Sequence, residues 1–332
     1  MPNYSVGFDG VKRSMSLRTF RDEISEEVSS IFSSDFTVEV VETDFVPKPG
    51  DAKITFPNTD AKKLSCKLIE TCVLYIDIRK STELNLSHRR ATVAKLYSAF
   101  GRSITRAARY YGGHVRGIIG DRVMVVFDKE DCFEKAVKTA VLMNSVAEYI
   151  LNKNFPNNEI KCGIGIDYGK MLITKVGVVR RGEEVSNYKG LVWLGRPANV
   201  ASKLTDIANK PAETREVPQV RTGFHYPRMN EYNWYEESLE QFIDKLEDIP
   251  LSNTLRHKDD YYFAHYKTTR TITEQVKTPP ILMTREVFSG YEKACPDAKS
   301  IKNGWYKKKA VKIPEYNGDI FGGDVIFTIF DE

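Results

Sequence analysis

Two aspartates lie near the end of a predicted apolar strand and in a predicted tight turn. Their carboxylates are expected to meet at one edge of a sheet. Asp77 lies near the end of the apolar run Cys72–Ile78, and Asp121 follows Gly120 between two strand-like runs. Carboxylate oxygens are the ligands that hard divalent cations such as Mg²⁺ prefer, and two such cations lower the pKa of an attacking hydroxyl group and neutralise a leaving phosphate. Each aspartate alone has an ordinary structural explanation, as a turn residue or a strand end. Together they favour a metal site for phosphate chemistry.

The segments around these aspartates predict the fold that positions them. Strand-like runs and amphipathic helices follow the order strand, helix, hairpin, helix, strand, which is the βαββαβ arrangement of a ferredoxin-like α+β fold. The predicted elements, in chain order, are the strand Cys72–Ile78, a helix with apolar residues Val93, Leu96, Phe100, Ile104, Ala107 and Tyr111, the strands His114–Ile119 and Val123–Phe127, a helix with Phe133, Val137, Ala140, Met143 and Ala147, and the strand Lys161–Asp167. Ser87 is predicted to cap the first helix, and Pro197–Ile207 is predicted to form a third.

Length and composition exclude several classes of protein. The 332 residues are enough for one large domain or two ordinary ones, and 41% hydrophobic with 28% charged residues is typical of a soluble globular chain. A net charge of +4, with the basic residues evenly spread, predicts no nucleic-acid partner, and apolar runs of strand length predict no membrane span. The five cysteines form no CxxC pair and the first residues show no secretory signal, so a cytoplasmic location is expected.

Four segments, in order, resemble the motifs of class III adenylate and guanylate cyclases. Val73–Thr82 resembles the first metal motif of that family, and Gly120–Phe127 resembles the second. Gly163–Gly169 resembles the strand and turn that follow, and Leu194–Leu204 resembles the helix that completes the site. The resemblance implies a class III cyclase palm, in which the ribose 3′-oxygen attacks the α-phosphate of a nucleoside triphosphate and pyrophosphate leaves.

The resemblance also implies roles for individual residues. Asp77, Asp121 and the Ile78 carbonyl would bind two Mg²⁺ or Mn²⁺ ions. Three consecutive residues would hold the phosphates through backbone N–H groups, as at other helix-leading turns: Lys80, Ser81 and Thr82. Asn199 would orient the ribose from the opposite subunit, which implies a head-to-tail homodimer with two active sites at the subunit interface.

One catalytic position departs from the family pattern. The family usually has an arginine four residues after the helix asparagine, where it stabilises the pentacoordinate phosphate, and this sequence has Lys203. Lysine keeps the positive charge but loses the planar fork of donors. Three explanations stay open: Lys203 acts alone, Arg79 assists it, or Lys203 is a solvated helix residue.

Both positions that usually recognise the base also depart from the family pattern. Counted from Asp121 and Asn199, these positions are Gly117 and Val192, and neither side chain offers the hydrogen bonds that select adenine or guanine. Arg116 could supply a donor, although alternation along a strand directs it to the other face. Bacterial cyclases with this divergence resemble the Pycsar anti-phage enzymes, which make cyclic UMP or cyclic CMP.

The sequence therefore predicts a pyrimidine nucleotide cyclase, with UTP favoured over CTP, whose product is a second messenger in anti-phage defence and is read by a separate effector protein. Two alternatives stay open: an adenylate cyclase with a divergent base pocket, and a catalytically inactive nucleotide sensor. The presence of both metal aspartates and of Asn199 weighs against the sensor. A palm-domain polymerase or a diguanylate-forming enzyme would need a GGDEF-type signature or further domains, and neither is visible.

The remaining segments predict a division of the chain into four parts. In chain order we expect an N-terminal extension at 1–63, the cyclase catalytic core at 64–210, an insertion at 211–277 and the C-terminal part of the cyclase fold at 278–332. Pro280–Phe288 resembles the strand and helix that usually follow the asparagine helix, and Asp324–Phe330 resembles the closing strand. Within the insertion Tyr261–Tyr266 is predicted to be a strand. Four apolar residues of the insertion predict a helix: Tyr235, Leu239, Phe242 and Leu246.

Overall fold

The computed structural model describes residues 6–8, 11–13, 16–155, 157, 159–180 and 183–331 of the chain. The chain forms two compact units. The large unit contains residues 1–209 and 279–332, and the small unit contains residues 210–278. None of the helices in these described ranges is long and apolar enough to cross a membrane.

Strands and helices are named in chain order. The strands are β1 (Val6–Phe8), β2 (Val11–Arg13), β3 (Thr37–Glu42), β4 (Lys63–Ile78), β5 (His114–Ile119), β6 (Arg122–Val126), β7 (Cys162–Arg180), β8 (Glu183–Leu194), β9 (Glu213–Tyr226), β10 (Glu231–Ser238), β11 (Leu246–Asp248), β12 (Leu255–His257), β13 (Tyr262–Gln275), β14 (Ile281–Thr284), β15 (Lys307–Lys309) and β16 (Ile320–Gly323). The helices are α1 (Leu17–Ile31), α2 (Ser81–Ser87), α3 (Arg90–Tyr110), α4 (Cys132–Val146), α5 (Asn152–Asn154), α6 (Arg196–Ile207), α7 (Leu239–Asp244), α8 (Arg285–Ala294) and α9 (Lys299–Lys302).

The main sheet of the large unit has the strand order β15-β16-β14-β7-β4-β6-β5, with β3 beside β4 and β8 beside β7. Within it, β7, β4, β6 and β5 are antiparallel neighbours, and the chain passes through β4, α3, β5, β6, α4 and β7 in turn. This is the predicted ferredoxin-like βαββαβ arrangement, and the α+β fold is confirmed. β4 begins earlier than predicted because its first residues pair in parallel with β3.

The main sheet buries side chains on both of its faces. On one face, Leu74 of β4 packs with Phe100 of α3 and with residues of α4 and α8. On the other face, Val73 packs with Ile54 from the segment before β4 and with Ala201 of α6. A strand that is buried on both faces carries a nearly continuous apolar run rather than an alternating one. The helix α6 therefore lies on the face opposite to α3 and α4.

Glycines on β7 allow α6 to lie directly against the sheet. A Cβ atom at Gly165 would lie 2.2 Å from the Ala201 carbonyl oxygen and 2.5 Å from the Thr205 amide nitrogen. A Cβ atom at Gly163 would lie 2.9 Å from the Ala208 carbonyl oxygen. The strand thus needs glycine where the helix backbone crosses it. This close approach sets the position of the helix that carries the predicted ribose and phosphate residues.

Replacing Gly165 with alanine should lower the free energy of unfolding by about 1–3 kcal/mol, because α6 has to move to admit the methyl group. Chemical denaturation measures this change. Gly101→Ala is the matched control, since no atom lies within 4 Å of a Cβ at that position in α3. The control should gain up to about 1 kcal/mol, because alanine is favoured over glycine inside a helix. A Gly165→Ala protein as stable as the wild type would show that α6 does not depend on this contact.

Asp167 of β7 is a fully buried carboxylate of the large unit. It accepts a hydrogen bond from Thr284 Oγ1 at 2.7 Å, and Arg196 Nη2 lies 3.5 Å from its Oδ2 atom. Burial raises the pKa of Asp167 from 3.8 to about 6, and the hydrogen bond from Thr284 only partly opposes this rise. Because folding favours the protonated form, the stability that Asp167 contributes is present below the unfolded pKa and is lost as pH rises through the folded pKa.

Asp167→Asn should therefore be more stable than the wild type at neutral pH, by up to about 3 kcal/mol, and nearly equal to it near pH 4. Asparagine keeps an acceptor oxygen for Thr284 and carries no charge that burial can penalise. Urea denaturation of both proteins at about pH 4 and about pH 7.5 gives the two differences. If the difference in unfolding free energy were the same at both pH values, burial would not be raising the pKa of this carboxyl.

The prediction that Ser87 caps the long helix is wrong. Ser87 ends the short helix α2, where its hydroxyl donates to the Glu83 carbonyl at 2.8 Å. α3 begins at Arg90, and its N-cap residue Arg89 makes no side-chain cap. A serine hydroxyl bonds to a carbonyl one turn earlier as readily as it caps a following helix, and the sequence does not distinguish the two.

The prediction of a closing strand at Asp324–Phe330 is also wrong. The last strand of this region is β16, which pairs with β14 and β15. Beyond it the chain bonds to side chains of α4: Asn144 Nδ2 donates to the Val325 carbonyl at 3.1 Å, and the Phe327 N–H donates to Ser145 Oγ at 2.9 Å. Because these backbone groups are satisfied by α4, the apolar run does not add a strand. The predicted strand and helix at Pro280–Phe288 are confirmed as β14 and α8.

The small unit contains a three-stranded antiparallel sheet in the order β10-β9-β13 and the hairpin β11–β12. The strand predicted at Tyr261–Tyr266 is confirmed, and it continues as β13. The predicted helix is shorter than expected at both ends, since Tyr235 lies in β10 and Leu246 is the first residue of β11. α7 starts after Ser238, whose side chain forms a reciprocal capping box with Gln241. This cap defines the helix start more strongly than the spacing of apolar residues does.

Candidate active site

Asp77 is the last but one residue of β4, opposite Gly163 of β7. Its Oδ2 atom accepts hydrogen bonds from Arg122, with Nη2 at 2.6 Å and Nε at 3.3 Å. Arg79 Nη2 lies 3.7 Å from the same oxygen. The Oδ1 atom of Asp77 is buried and has no hydrogen-bond partner. One carboxylate oxygen is therefore satisfied by arginine, and the other is an unused buried acceptor.

Asp121 lies in the turn between β5 and β6, and its Oδ2 atom is likewise buried without a hydrogen-bond partner. Burial raises the pKa of Asp121, the neighbouring Asp77 carboxylate raises it further, and a hydrogen bond with Ser81 opposes the rise. A carboxylate raises the pKa of another carboxyl in this way only when the two lie close together. The fold thus brings the two predicted metal residues and the start of α2 together.

The donor atoms of this site fit divalent metal ions. Buried carboxylate oxygens without a partner are costly, and a bound cation removes that cost. The side-chain donors are oxygens and are few, as in Mg²⁺ and Mn²⁺ sites that also bind phosphate and water. Within the described ranges, no group of three or more His, Cys, Asp or Glu side chains forms a separate metal cluster. The aspartate pair is therefore suited to cations that share their coordination with a substrate.

Ile78 and Arg79 fix the end of β4 beside the aspartates. The Ile78 side chain is buried, and the Arg79 N–H donates to the Lys161 carbonyl at 2.7 Å. The Arg79 guanidinium donates to the Asp206 carbonyl at 3.0 Å. Burial lowers the pKa of Arg79, and the Asp77 carboxylate opposes this effect. Arg79 thus lies next to Asp77, as required if it assists catalysis, but part of its guanidinium is bound to the backbone of α6.

Arg122, the first residue of β6, is a functional candidate that the sequence analysis missed. Besides Asp77, its guanidinium donates to Ser202 Oγ at 2.9 Å and to Asp206 Oδ1 on α6. Burial lowers the pKa of Arg122, but hydrogen bonds to Asp77 and Asp206 raise it more. The signals in the sequence are an arginine directly after the second metal aspartate, and a serine and an aspartate four residues apart on one helix face.

α2 begins directly after β4, at the residues predicted to hold phosphates. Lys80 is the N-cap residue, with a left-handed φ of 56°, and no side chain caps the helix. Ser81 and Thr82 are the first helical residues, so their backbone N–H groups have no acceptor within the helix. The Lys80 ammonium group pairs with Glu83 at 3.1 Å on the surface.

α6 carries the two residues that are predicted to act on the opposite subunit. Asn199 is exposed. Lys203 Nζ forms an ion pair with Glu315 at 2.9 Å. Within the part of one chain that the structure describes, no hydrogen bond or ion pair joins Asn199 or Lys203 to Asp77 or Asp121. Asn199 and Lys203 are therefore not linked directly to the metal residues, although Ser202 and Asp206 of the same helix contact Arg122.

The two predicted base-recognition positions lie on different strands. Gly117 is on the edge strand β5 opposite Met124, where an added Cβ would make an ordinary contact at 3.7 Å. Val192 is on β8 opposite Thr174. Because β6, β4 and β7 lie between β5 and β8 in the sheet, the two positions are not neighbours within one chain.

Arg116, the neighbour of Gly117, is occupied by backbone contacts. Its Nε atom donates to the Pro47 carbonyl at 3.0 Å, and its Nη1 atom donates to the Val115 carbonyl at 3.0 Å. The strand has a bulge between Val115 and Gly117, which changes the simple alternation expected for β5. The Arg116 guanidinium thus ties β5 to the segment before β4.

Comparison with known proteins identifies the family. The family described as the Adenylate and Guanylate cyclase catalytic domain matches residues 66–214. A uridylate cyclase of Burkholderia cepacia is 30% identical over 195 residues, which are 57% of this chain and 79% of that protein. A uridylate cyclase of Xanthomonas perforans is 30% identical over 193 residues, 56% of this chain and 77% of that protein. A cytidylate cyclase of Staphylococcus aureus is 32% identical over 118 residues, 32% of this chain and 28% of that protein.

The fold, the paired aspartates and these similarities agree with one another. The family match begins within β4 and ends within β9, so it spans both aspartates and α6. Identity of 30% extends over more than three quarters of each of the two uridylate cyclases. The chain therefore belongs to the class III nucleotide cyclase family, as an enzyme related to the Pycsar cyclases.

Proposed function

We propose that this chain converts UTP to 3′,5′-cyclic UMP and pyrophosphate at two-metal active sites formed between two subunits. The observation that carries the proposal is the pair of buried, unpartnered oxygens, Asp77 Oδ1 and Asp121 Oδ2, in a chain of the cyclase family. UTP is favoured over CTP because the relatives matched over most of their length are named uridylate cyclases. The match to a cytidylate cyclase spans only 28% of that protein.

The metal half of the site would belong to one chain. Asp77, Asp121 and the Ile78 carbonyl would hold two Mg²⁺ or Mn²⁺ ions, beside backbone N–H groups of Ser81 and Thr82 that bind phosphate oxygens. Such ions, when bound, lower the pKa of the ribose 3′-hydroxyl and neutralise charge on the phosphates. A bond then forms between the 3′-oxygen and the α-phosphorus, the bond from the α-phosphorus to pyrophosphate breaks, and the 3′-hydroxyl proton passes to water.

The helix half of the site would belong to the partner subunit. Its Asn199 would orient the ribose, and its Lys203 would contact the reacting phosphate. Support comes from the exposure of Asn199, which leaves its side chain accessible to a second subunit. The Lys203–Glu315 ion pair lies at the surface, where such pairs contribute little stability, so a phosphate oxygen can replace Glu315.

The absence of purine-selecting groups supports a pyrimidine substrate. Neither Gly117 nor Val192 offers a side-chain hydrogen bond to a base, and Arg116 is bound to backbone carbonyls. A site without side chains that hydrogen-bond to adenine or guanine has no means of selecting those bases through such bonds. From the relationship to the Pycsar cyclases, we further propose that the product is a second messenger in anti-phage defence, made in the cytoplasm and read by a separate effector protein.

Product analysis tests this function. The purified protein is incubated with Mn²⁺ and one nucleoside triphosphate at a time, and the products are identified by mass spectrometry. Cyclic UMP as the main product would support the proposal. Cyclic AMP as the main product would leave the cyclisation chemistry in place and contradict the argument from Gly117 and Val192. No cyclic product from any of the four nucleotides would contradict the enzyme function itself.

A further inference from the structure

The site as proposed lacks an arginine at position 203 of α6, where the family usually has one to contact the reacting phosphate. At the family's arginine position the chain has Lys203, which donates to Glu315 in this structure. A single ammonium group does not replace a planar fork of donors. Two guanidiniums do lie at the metal half of the site: Arg79 and Arg122, both beside Asp77. The two side chains differ in the groups to which they are hydrogen-bonded.

Arg79 is fixed in place by the backbone and by packing. Its side chain is only 13% exposed, and it donates to the Asp206 carbonyl, a group that substrate cannot displace without moving α6. A Cβ atom at Gly163 would lie 3.0 Å from Arg79 Cζ, so β7 passes directly beside the guanidinium. Arg79 therefore has little freedom to move towards a substrate.

Arg122 is held only by side chains in the contacts described for it. Its hydrogen bonds go to Asp77 Oδ2, Ser202 Oγ and Asp206 Oδ1. Its side chain is 29% exposed and that of Asp206 is 52% exposed, so water and substrate can reach the pair. Side-chain acceptors can rotate away, which leaves Arg122 free to exchange partners.

The main partner of Arg122 is also a predicted metal ligand. Asp77 Oδ2 accepts hydrogen bonds from both Nε and Nη2 of Arg122, while Asp77 Oδ1 has no hydrogen-bond partner. A carboxylate whose charge is neutralised by a divalent cation attracts a guanidinium less strongly. Two bound cations would also repel the positively charged guanidinium. Arg122 and a metal ion thus compete for the same carboxylate. If Asp77 holds a metal ion, a triphosphate bound beside that ion would offer Arg122 a new anionic partner.

We propose that Arg122 is a catalytic residue of this cyclase with two successive partners. It neutralises Asp77 while the carboxylate lacks a metal ion, and it then turns to an oxygen of the reacting phosphate. There its planar donors stabilise the pentacoordinate phosphate, the task for which Lys203 lacks the geometry. This inference rests on the proposed function, since it needs a triphosphate that is cyclised at Asp77 and Asp121.

The test compares Arg122→Leu and Arg122→Lys with the wild type in two measurements. Mn²⁺ binding without nucleotide is measured by electron paramagnetic resonance, and kcat and KM for UTP are measured at saturating Mn²⁺. Arg122→Leu should bind Mn²⁺ about tenfold more tightly, because the competing ion pair is gone. Its kcat should nevertheless fall about 10²-fold, because a charged donor to the phosphate is lost. Arg122→Lys should recover part of kcat.

Arg106→Leu, an exposed arginine on α3, is the matched control and should change neither quantity. Weaker Mn²⁺ binding together with lower kcat in Arg122→Leu would assign Arg122 a purely structural role and overturn the proposal. So would an unchanged kcat. Failure of the proposed function is a separate result, because it would show as a wild-type protein that cyclises none of the four nucleoside triphosphates.

Discussion

Asp121→Asn should lower kcat/KM for UTP by about 10³-fold, or about 4 kcal/mol of transition-state stabilisation, at saturating Mn²⁺. Asparagine preserves the size of the side chain but removes its charge and one of its two acceptor oxygens. The buried Oδ2 atom of Asp121 has no protein partner, so its role depends on a ligand that asparagine binds poorly. Initial-rate kinetics of cyclic nucleotide formation gives the ratio of the two kcat/KM values.

The same substitution should make the metal-free protein more stable. Burial and the neighbouring Asp77 carboxylate raise the pKa of Asp121, so at neutral pH the charged form is held at a cost in the absence of cations. Mn²⁺ should raise the Tm of the wild type and leave that of Asp121→Asn nearly unchanged. Asp131→Asn, the same change at an exposed residue, is the matched control for both measurements. An active Asp121→Asn protein in Mn²⁺ would remove this residue from the metal site.

Mixing two inactive variants should restore activity to about one quarter of the wild-type value. Asp121→Asn lacks the metal half of the site, and Asn199→Ala lacks the helix half. In a head-to-tail dimer, each mixed dimer has one site with both halves intact and one with neither. Random exchange of subunits makes about half of the dimers mixed, and each of these has one active site of two, which gives the quarter. Rates are measured after co-refolding equal amounts of the two proteins.

The control for this experiment mixes Asp77→Asn with Asp121→Asn. Both variants are defective in the metal half, so no dimer contains an intact site and no activity should return. Asn199 and the aspartates share no described contact within one chain, which is why the two halves are expected to act across the interface. If activity did not return in the first mixture while both variants folded and dimerised, the site would be formed within one chain.

Sequence patterns predict those strands and helices in which the spacing of apolar residues agrees with the burial of the element in the folded chain. The strand that ends at Asp77 is apolar because it is buried on both faces, and the helix α3 shows its buried face through regularly spaced apolar residues. The same kinds of pattern in the other four elements complete the predicted βαββαβ order. They also place Asp77 and Asp121 at one edge, because the hairpin strand β6 has to pair with β4.

The errors arise where a side chain has a choice of partners. Ser87 bonds backwards to Glu83 instead of capping α3. The run that begins at Asp324 bonds to Asn144 and Ser145 on α4 instead of forming a strand. In each case the local sequence is compatible with both outcomes. A hydrogen bond within α2 decides the first case, and a tertiary contact with α4 decides the second.

Arg122 escaped sequence analysis for a related reason. Its contacts join the start of β6 to the end of β4 and to the last turns of α6, over sequence separations of 45 and 84 residues. That meeting depends on α6 lying against the sheet, which in turn depends on the missing side chain at Gly165. No single motif contains all of these residues. The assignment of a phosphate contact to Lys203 stays a prediction, since here it is paired with Glu315.

The most direct test of the central claim is a competition among the four nucleoside triphosphates in one reaction. The protein is incubated with Mn²⁺ and equal concentrations of UTP, CTP, ATP and GTP, and the initial rates of the four cyclic products are read by mass spectrometry. The ratios of these rates equal the ratios of kcat/KM. We expect cyclic UMP to form fastest, cyclic CMP to follow, and no product with 3′-deoxy-UTP alone, which lacks the attacking hydroxyl. Cyclic AMP or cyclic GMP forming fastest would contradict the account.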